Sequence, residues 1–338
     1  MIKKTGRATY LFENMPSIPG YASVVGQKEL EGPLGEGFDR VIADSYNGCE
    51  TYEEAEAKMQ RSALNIAASK SGIKPEEIDC VFAGDLLNQC IGSSFGLKDF
   101  GIPYLGQYAA CSTMAQNLIM AAVFVESGAA KTAACATSSH FCSAERQYRF
   151  PMEYGSVRTP TAQWTVTGAG SCVLTQSPSK IRVAAATAGK ITDLEVTDAN
   201  NMGAAMAPAA ADTIIRFLRD TGTVVDDYDM IFTGDLGAVG SEVLRELLKK
   251  EDIFLKEKHS DCGMMIFDRT RQDVHAGGSG CGCCASVLCS EILNGMRDGK
   301  YKNILFAATG ALLSVTSVGQ KRTIPSIAHI VNIVSAES

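Results

Sequence analysis

No stretch of this 338-residue sequence is apolar for long enough to cross a bilayer. The best run, Leu118 to Val125, falls far short of the roughly 20 residues a spanning helix needs, so any membrane role is expected to be peripheral. A charged-then-apolar leader with a cleavage site is missing from the N-terminus, and a secretory signal is not expected. Basic excess is missing too. The 31 Lys and Arg stand against 38 Asp and Glu, a formal net charge of -7. That balance argues against nucleic acid as the main partner, while leaving room for a local basic pocket that takes an anion. The paired ligand spacings of a structural zinc site are absent as well. Cys281-Gly-Cys-Cys284 has no matching pair, and although Cys262, Cys289 and His275 are conceivable additions, tight packing of small residues at a helix start is the simpler reading. No metal is expected.

What the sequence does have is 12 cysteines, 32 glycines and 46% hydrophobic residues. Its length suggests about two domains and a large buried core. Without an oxidising-compartment signal, the cysteines read as reduced, small, buried hydrophobes.

An internal repeat organises the chain. Ile78-Asp-Cys-Val-Phe-Ala-Gly-Asp-Leu86 returns as Tyr228-Asp-Met-Ile-Phe-Thr-Gly-Asp-Leu236. Each copy is a β-branched and aromatic run ending in Gly-Asp, which predicts a buried strand and its exit turn. An amphipathic helix precedes each, with the stripe Met59, Ala63, Ile66, Ala67 in one and Ala211, Ile214, Ile215, Leu218 in the other. A second pairing follows the same order. Ala110-Cys111-Ser112 heads a helix to about Gly128 and a strand at Thr132 to Thr137; Gly282-Cys283-Cys284 heads a helix to about Gly299 and a strand at Asn303 to Thr309. Helix-then-strand units imply crossovers and a parallel-rich sheet. The chain therefore divides into homologous halves, 1–177 and 178–338, joined near the turn-like Ser177-Pro-Ser-Lys.

Two α/β halves with a cysteine at the head of a buried helix resemble the thiolase and ketoacyl-synthase superfamily. Gly106 to Thr113 is similar to its nucleophile region, Gly168-Ala-Gly-Ser-Cys-Val-Leu174 to its glycine-rich strand, and Asn201-Met-Gly-Ala-Ala-Met206 to the opening of its second half. The resemblance implies a thiolase-like α/β fold with mixed, mostly parallel sheets in αβαβα layers, and a homodimer through first-half strands. A narrower likeness, to a sporulation branch of that superfamily, covers essentially the whole chain. It is carried by Glu31-Gly-Pro-Leu-Gly35, Ala83-Gly-Asp-Leu-Leu-Asn-Gln89, Ala136-Thr-Ser-Ser-His140 and Pro160 to Gly170 in the first half. In the second half it is carried by Met202 to Ala210, Thr233-Gly-Asp-Leu236, Asp273 to Gly282 and Ala308-Thr-Gly-Ala-Leu-Leu-Ser314. This likeness implies a protein that binds dipicolinate (pyridine-2,6-dicarboxylate). Its membrane partners, at the inner membrane of the forming spore, load the anion and release it on germination. No cofactor is implied, and calcium accompanying dipicolinate is left open.

Cys111 stands where the superfamily carries its acyl-accepting nucleophile. A helix N-terminus favours thiolate there, against the bland alternative of one more buried cysteine. Catalysis needs more. The enzymes add a histidine, with an asparagine or second histidine, or a second cysteine, to polarise a thioester and move its proton. Here Gly234-Asp235-Leu236 places an acid at the histidine position. Thr309-Gly310-Ala311 lacks a cysteine, and no asparagine stands near Gly278 to Gly282. A carboxylate has no proton to donate to an oxyanion, so the usual mechanism reads as disabled. His275 is open as a base, an anion donor or a backbone-bonded loop residue, and His140 is a donor candidate at a strand end. Backbone donors for a rigid dianion are expected from the Cys111 helix tip, Gly277-Gly278 and Thr309-Gly310. Arg146, Arg149 and Arg158 are either carboxylate caps or solvated surface. Two readings follow. One is a non-catalytic binder using Cys111, His140, Asp235, His275, Gly278, Thr309 and Gly310; the other is an active acyl-transferase or condensing enzyme pairing Cys111 with His275.

Overall fold

In the computed structural model, which describes residues 1–147 and 157–336, ten of the strands build two sheets of one design. The first half supplies β1 (Ser17–Val25), β2 (Cys80–Gly84), β3 (Tyr104–Gly106), β4 (Thr132–Ser139) and β5 (Gly168–Thr175). The second supplies β6 (Ile181–Thr187), β7 (Met230–Thr233), β8 (His259–Asp261), β9 (Asn303–Ala311) and β10 (Ser326–Ser335). Their lateral orders are β3-β2-β4-β5-β1 and β8-β7-β9-β10-β6. Directions repeat as well. In each half the second strand pairs parallel to its two neighbours, and the last two pairings are antiparallel. The two sheets meet edge to edge through one residue pair, Arg182 opposite Ser17.

Every residue of β2, β4 and β5 is buried, as a sheet covered on both faces requires. Helix α1 (Tyr52–Ser71) covers the outside of the first sheet. Thr51 caps its start by accepting the Glu54 N–H, and Gly72 ends it at φ 71°, where a glycine carries no penalty. The predicted stripe is buried at Met59, Ala63 and Ala67, with Ile66 packed beside it. Helix α3 (Met202–Thr221) covers the second sheet with Ala211, Ile214 and Leu218. Between the sheets lie α2 (Thr113–Ser127) and, beyond α4 (Gly237–Lys249) in the chain, α5 (Cys281–Val287), which runs on through a π turn to Arg297. They share one apolar cluster with Phe82 and Leu174 on one side and Phe306 and Val331 on the other. The layers are therefore αβαβα.

All twelve cysteines are free thiols and ten are buried. Among the described residues no helix is long and apolar enough to cross a membrane.

Candidate functional site

The heads of α2 and α5 meet between the sheets, and the Cys284 thiol donates to the Cys111 carbonyl at 3.3 Å. Cys111 occupies a tight turn just ahead of α2. Ala110 holds φ 47°, a region that side-chain-bearing residues avoid unless the surroundings enforce it. The enforcement is local. Ser112 Oγ donates to the Ala109 carbonyl at 2.7 Å, and Thr113 Oγ1 donates to the Ala110 carbonyl at 2.6 Å while accepting the Ala109 N–H. Gly310 on β9 presses against this turn: a Cβ there would lie 2.5 Å from the Ala109 oxygen. Only glycine admits that approach.

Asp235, in the turn after β7, faces the sulfur. Its Oδ2 accepts from Ser279 Oγ at 2.8 Å and the Gly280 N–H at 3.0 Å, and its Oδ1 accepts from Thr309 Oγ1 at 2.8 Å. Ser279 Oγ, which donates to this carboxylate, lies 3.9 Å from the Cys111 sulfur. Gln163 Nε2 ties the assembly by donating to the Asp235 and Gly278 carbonyls at 2.7 and 2.8 Å. The structure thus brings together Cys111, Asp235, Gly278, Thr309 and Gly310.

Electrostatics here oppose the helix-tip effect. Burial pushes the Cys111 thiol well above its ordinary value, and the Asp235 charge pushes the same way. Burial also raises the Asp235 carboxyl, while its donors pull it down. Three donors suit an ionised carboxylate, and an ionised carboxylate keeps the sulfur protonated.

The histidines lie apart from this group. His140 is buried, its Nε2 donating to the Ser45 carbonyl at 2.8 Å and its Nδ1 accepting the Cys142 N–H. With both nitrogens engaged and burial lowering its pKa, it is a neutral structural cap. His275 sits in a loop at φ 47°, with Nε2 3.2 Å from Asp273 Oδ1. Arg146 pairs with Glu53; Arg149 lies outside the described residues. Arg158 is buried against Glu145 and the Gln163 carbonyl, 4.4 Å from the Trp164 ring centre, where Lys28 Nζ approaches to 3.8 Å. Trp164 and Thr165 pair in register with Gly278 and Ser279, so these cations flank the strand that delivers Ser279.

Three further contributors carry little signal in the sequence. Ser279 lies in the stretch that lacks an asparagine, and its hydroxyl stands near the sulfur. Gln163 sits in a family motif without a chemical signature. Asp261 accepts from Thr233 Oγ1 and from the Leu236 and Gly237 N–H groups, holding the turn that carries Asp235. Burial raises Asp261 to about 7. Cys281 and Cys284 donate to backbone carbonyls, and no cluster of three or more metal-ligating side chains occurs among the described residues.

Comparison with known proteins gives concordant results. A family model described as stage V sporulation protein AD (SpoVAD) matches residues 6–334. The chain is 43% identical over 328 residues to stage V sporulation protein AD of Bacillus subtilis (strain 168), covering 97% of each. In structure it resembles 3-oxoacyl-[acyl-carrier-protein] synthase III from Aquifex aeolicus VF5, with a TM-score of 0.59 at 15% identity over 94% of this chain and 99% of that one. It also resembles a variant of OleA from Xanthomonas campestris with cerulenin, with a TM-score of 0.61 at 14% identity over 96% of this chain and 97% of that one. At those identities the two structures establish a shared fold only.

Proposed function

The chain belongs to the stage V sporulation protein AD family, a thiolase-fold sporulation family, and from that premise we propose that it is a non-catalytic binder of dipicolinate. In this reading it works peripherally on the inner membrane of the forespore and spore, with other SpoVA membrane proteins that move dipicolinate in during sporulation and out during germination. The observation that carries the non-catalytic part is the buried Asp235 carboxylate, held by Ser279, Gly280 and Thr309 beside a Cys111 thiol that burial and this charge push up. A condensing enzyme needs a thiolate and proton donors for a developing oxyanion at that point. This site supplies a protonated sulfur and a negative charge instead.

The ligand part is supported by the rim. Lys28 and Arg158 lie within 4.4 Å of the Trp164 ring centre, one strand pairing away from Ser279. Two cations beside aromatic surface suit a flat aromatic dicarboxylate, whose charges need donors and whose ring needs apolar walls. Calcium bound with the anion, and a homodimer through the exposed edge strand β3, belong to the same proposal.

Titration calorimetry with dipicolinate, and with isophthalate as the control lacking a ring nitrogen, tests it. Saturable heat with dipicolinate and weaker heat with isophthalate is the expected result. No heat at millimolar dipicolinate overturns it. Incubation with acyl-coenzyme A followed by intact mass tests the enzymatic alternative: an adduct that vanishes in Cys111→Ala would replace binding with catalysis.

A further inference from the structure

A separate pocket of about 230 Å³ opens beside α4, lined by none of Cys111, Ser279 or Thr309. Ser241, Glu242 and Arg245 face it from α4, His259 and Asp261 from β8, and Arg269 from the loop that follows. Three features point to an anion. First, neither Arg245 nor Arg269 has a carboxylate within 4.0 Å among the described residues, although other arginines of this acidic chain do. Second, Asp261 forms an ion pair with neither guanidinium. Its oxygens are committed to Thr233 Oγ1 and to the Leu236 and Gly237 N–H groups, which leaves Glu242 as the acid at the rim. Third, Ser241 is 5% exposed, yet its hydroxyl has no hydrogen-bond partner among the described residues. A helical serine ordinarily returns its proton to the carbonyl one turn back; this one does not. Buried polar groups without partners are rare enough to require an explanation.

The pocket is also built to hold a guanidinium in place. Thr233 gives its proton to Asp261, so it accepts one from His259 Nε2 at 3.0 Å. That fixes the tautomer and leaves His259 Nδ1 as an acceptor, 3.3 Å from Arg245 Nη2. Burial lowers the histidine pKa to about 4, so the ring is a neutral prop beside the cation. Arg269 is anchored separately, its Nε donating to the His275 carbonyl at 2.7 Å.

We propose that this pocket binds a small oxyanion, a phosphate or carboxylate group, held by Arg245 and Arg269 and accepting from the Ser241 hydroxyl. The site is independent of the dipicolinate reading. Its wall is nonetheless shared with the site above, because Asp261 both lines the pocket and holds the turn carrying Asp235.

The test is calorimetric titration of the full chain with sodium phosphate at low ionic strength, and in a parallel arm with sodium acetate. Saturable binding of at least one anion is expected, and the stronger arm identifies the group. The double variant Arg245→Gln/Arg269→Gln should weaken it by at least about tenfold and Ser241→Ala by about fivefold. Cys111→Ala should leave it unchanged. Arg269 is exposed, so Arg269→Gln alone keeps the test valid should the double variant fail to fold. Unsaturable heats in both arms, or an isotherm unmoved by Arg269→Gln, overturn the proposal.

Discussion

Replacing Asp235 by asparagine keeps the shape of the side chain and removes its charge. Two consequences follow from the geometry. The new amide nitrogen must face donors, either Ser279 Oγ and the Gly280 N–H or Thr309 Oγ1, so at least one charged-acceptor hydrogen bond is lost, at a cost of about 1.5–3 kcal/mol. The second consequence concerns the sulfur. Losing a neighbouring negative charge lowers the thiol pKa, and a shift of about two units is about 3 kcal/mol, or about a hundredfold in the thiolate fraction. A more acidic thiol is a weaker nucleophile, which returns about tenfold of that gain. Alkylation of Cys111 by iodoacetamide at pH 8 should therefore be about tenfold faster in Asp235→Asn, followed by peptide mass spectrometry. Cys49 and Cys142, both partly exposed, serve as internal references. Asp85→Asn, in the twin turn of the first half, should leave the Cys111 rate unchanged. A Cys111 rate no faster than wild type in Asp235→Asn, with the references steady, refutes the claim that this carboxylate holds the thiol protonated.

Gly310→Ala drives a methyl to 2.5 Å from the Ala109 oxygen and should destabilise the fold by about 1–3 kcal/mol, read as a lower urea midpoint. His329 is buried, accepts the Gly189 N–H at 3.1 Å, and has its pKa lowered to about 4. Below pH 6.5 the unfolded chain takes up a proton that the folded one refuses, so stability falls as pH drops from 6.5 through 4, by about 3 kcal/mol at most from this residue. His329→Gln keeps an acceptor for Gly189 and should flatten that part of the decline, measured by urea unfolding at pH 7, 5 and 4. The edge strand β3 exposes Tyr104 and Leu105, with Tyr108 and Phe95 nearby in the chain. On the proposed homodimer, Leu105→Lys should yield a monomer where wild type scatters light as a dimer, since a lysine on an open edge opposes strand pairing.

The duplicated frame is legible because burial on both faces forces near-continuous apolar runs, and those runs recur in the same order. The strand predicted at Ile78 to Leu86 is observed at Cys80–Gly84, and its twin at Met230–Thr233. The differences are at the ends, where Asp79 and Asp229 instead accept N–H groups from the neighbouring strand's start. The site is legible where a motif fixes a backbone position: Cys111, Asp235, Thr309 and Gly310 all stand at element ends that converge. Side-chain direction is not legible. His140 and His275 stand in family motifs, yet His140 spends its nitrogens on Ser45 and Cys142, and His275 turns to Asp273. Ser279 carries no mark in the sequence because only the pairing of its strand with Trp164–Thr165 brings an ordinary serine beside the sulfur.

The two Gly-Asp turns share one local structure and put their carboxylates to different uses. In the first half, Asp85 is spent within its own loop, accepting the Leu87 and Ser93 N–H groups and the Ser93 hydroxyl. In the second half, Asp261 from β8 takes over the local N–H groups of Leu236 and Gly237. Asp235 is thereby released from closing its own turn and reaches across to Ser279 and Thr309, where its charge raises the Cys111 thiol. The local structure needs a carboxylate at the end of each turn, and in the second half two are present. One holds the loop, and the other sets the charge that the sulfur sees. The architecture of this site therefore rests on Asp261, whereas its chemistry rests on Asp235, and substitutions at the two positions act on different properties.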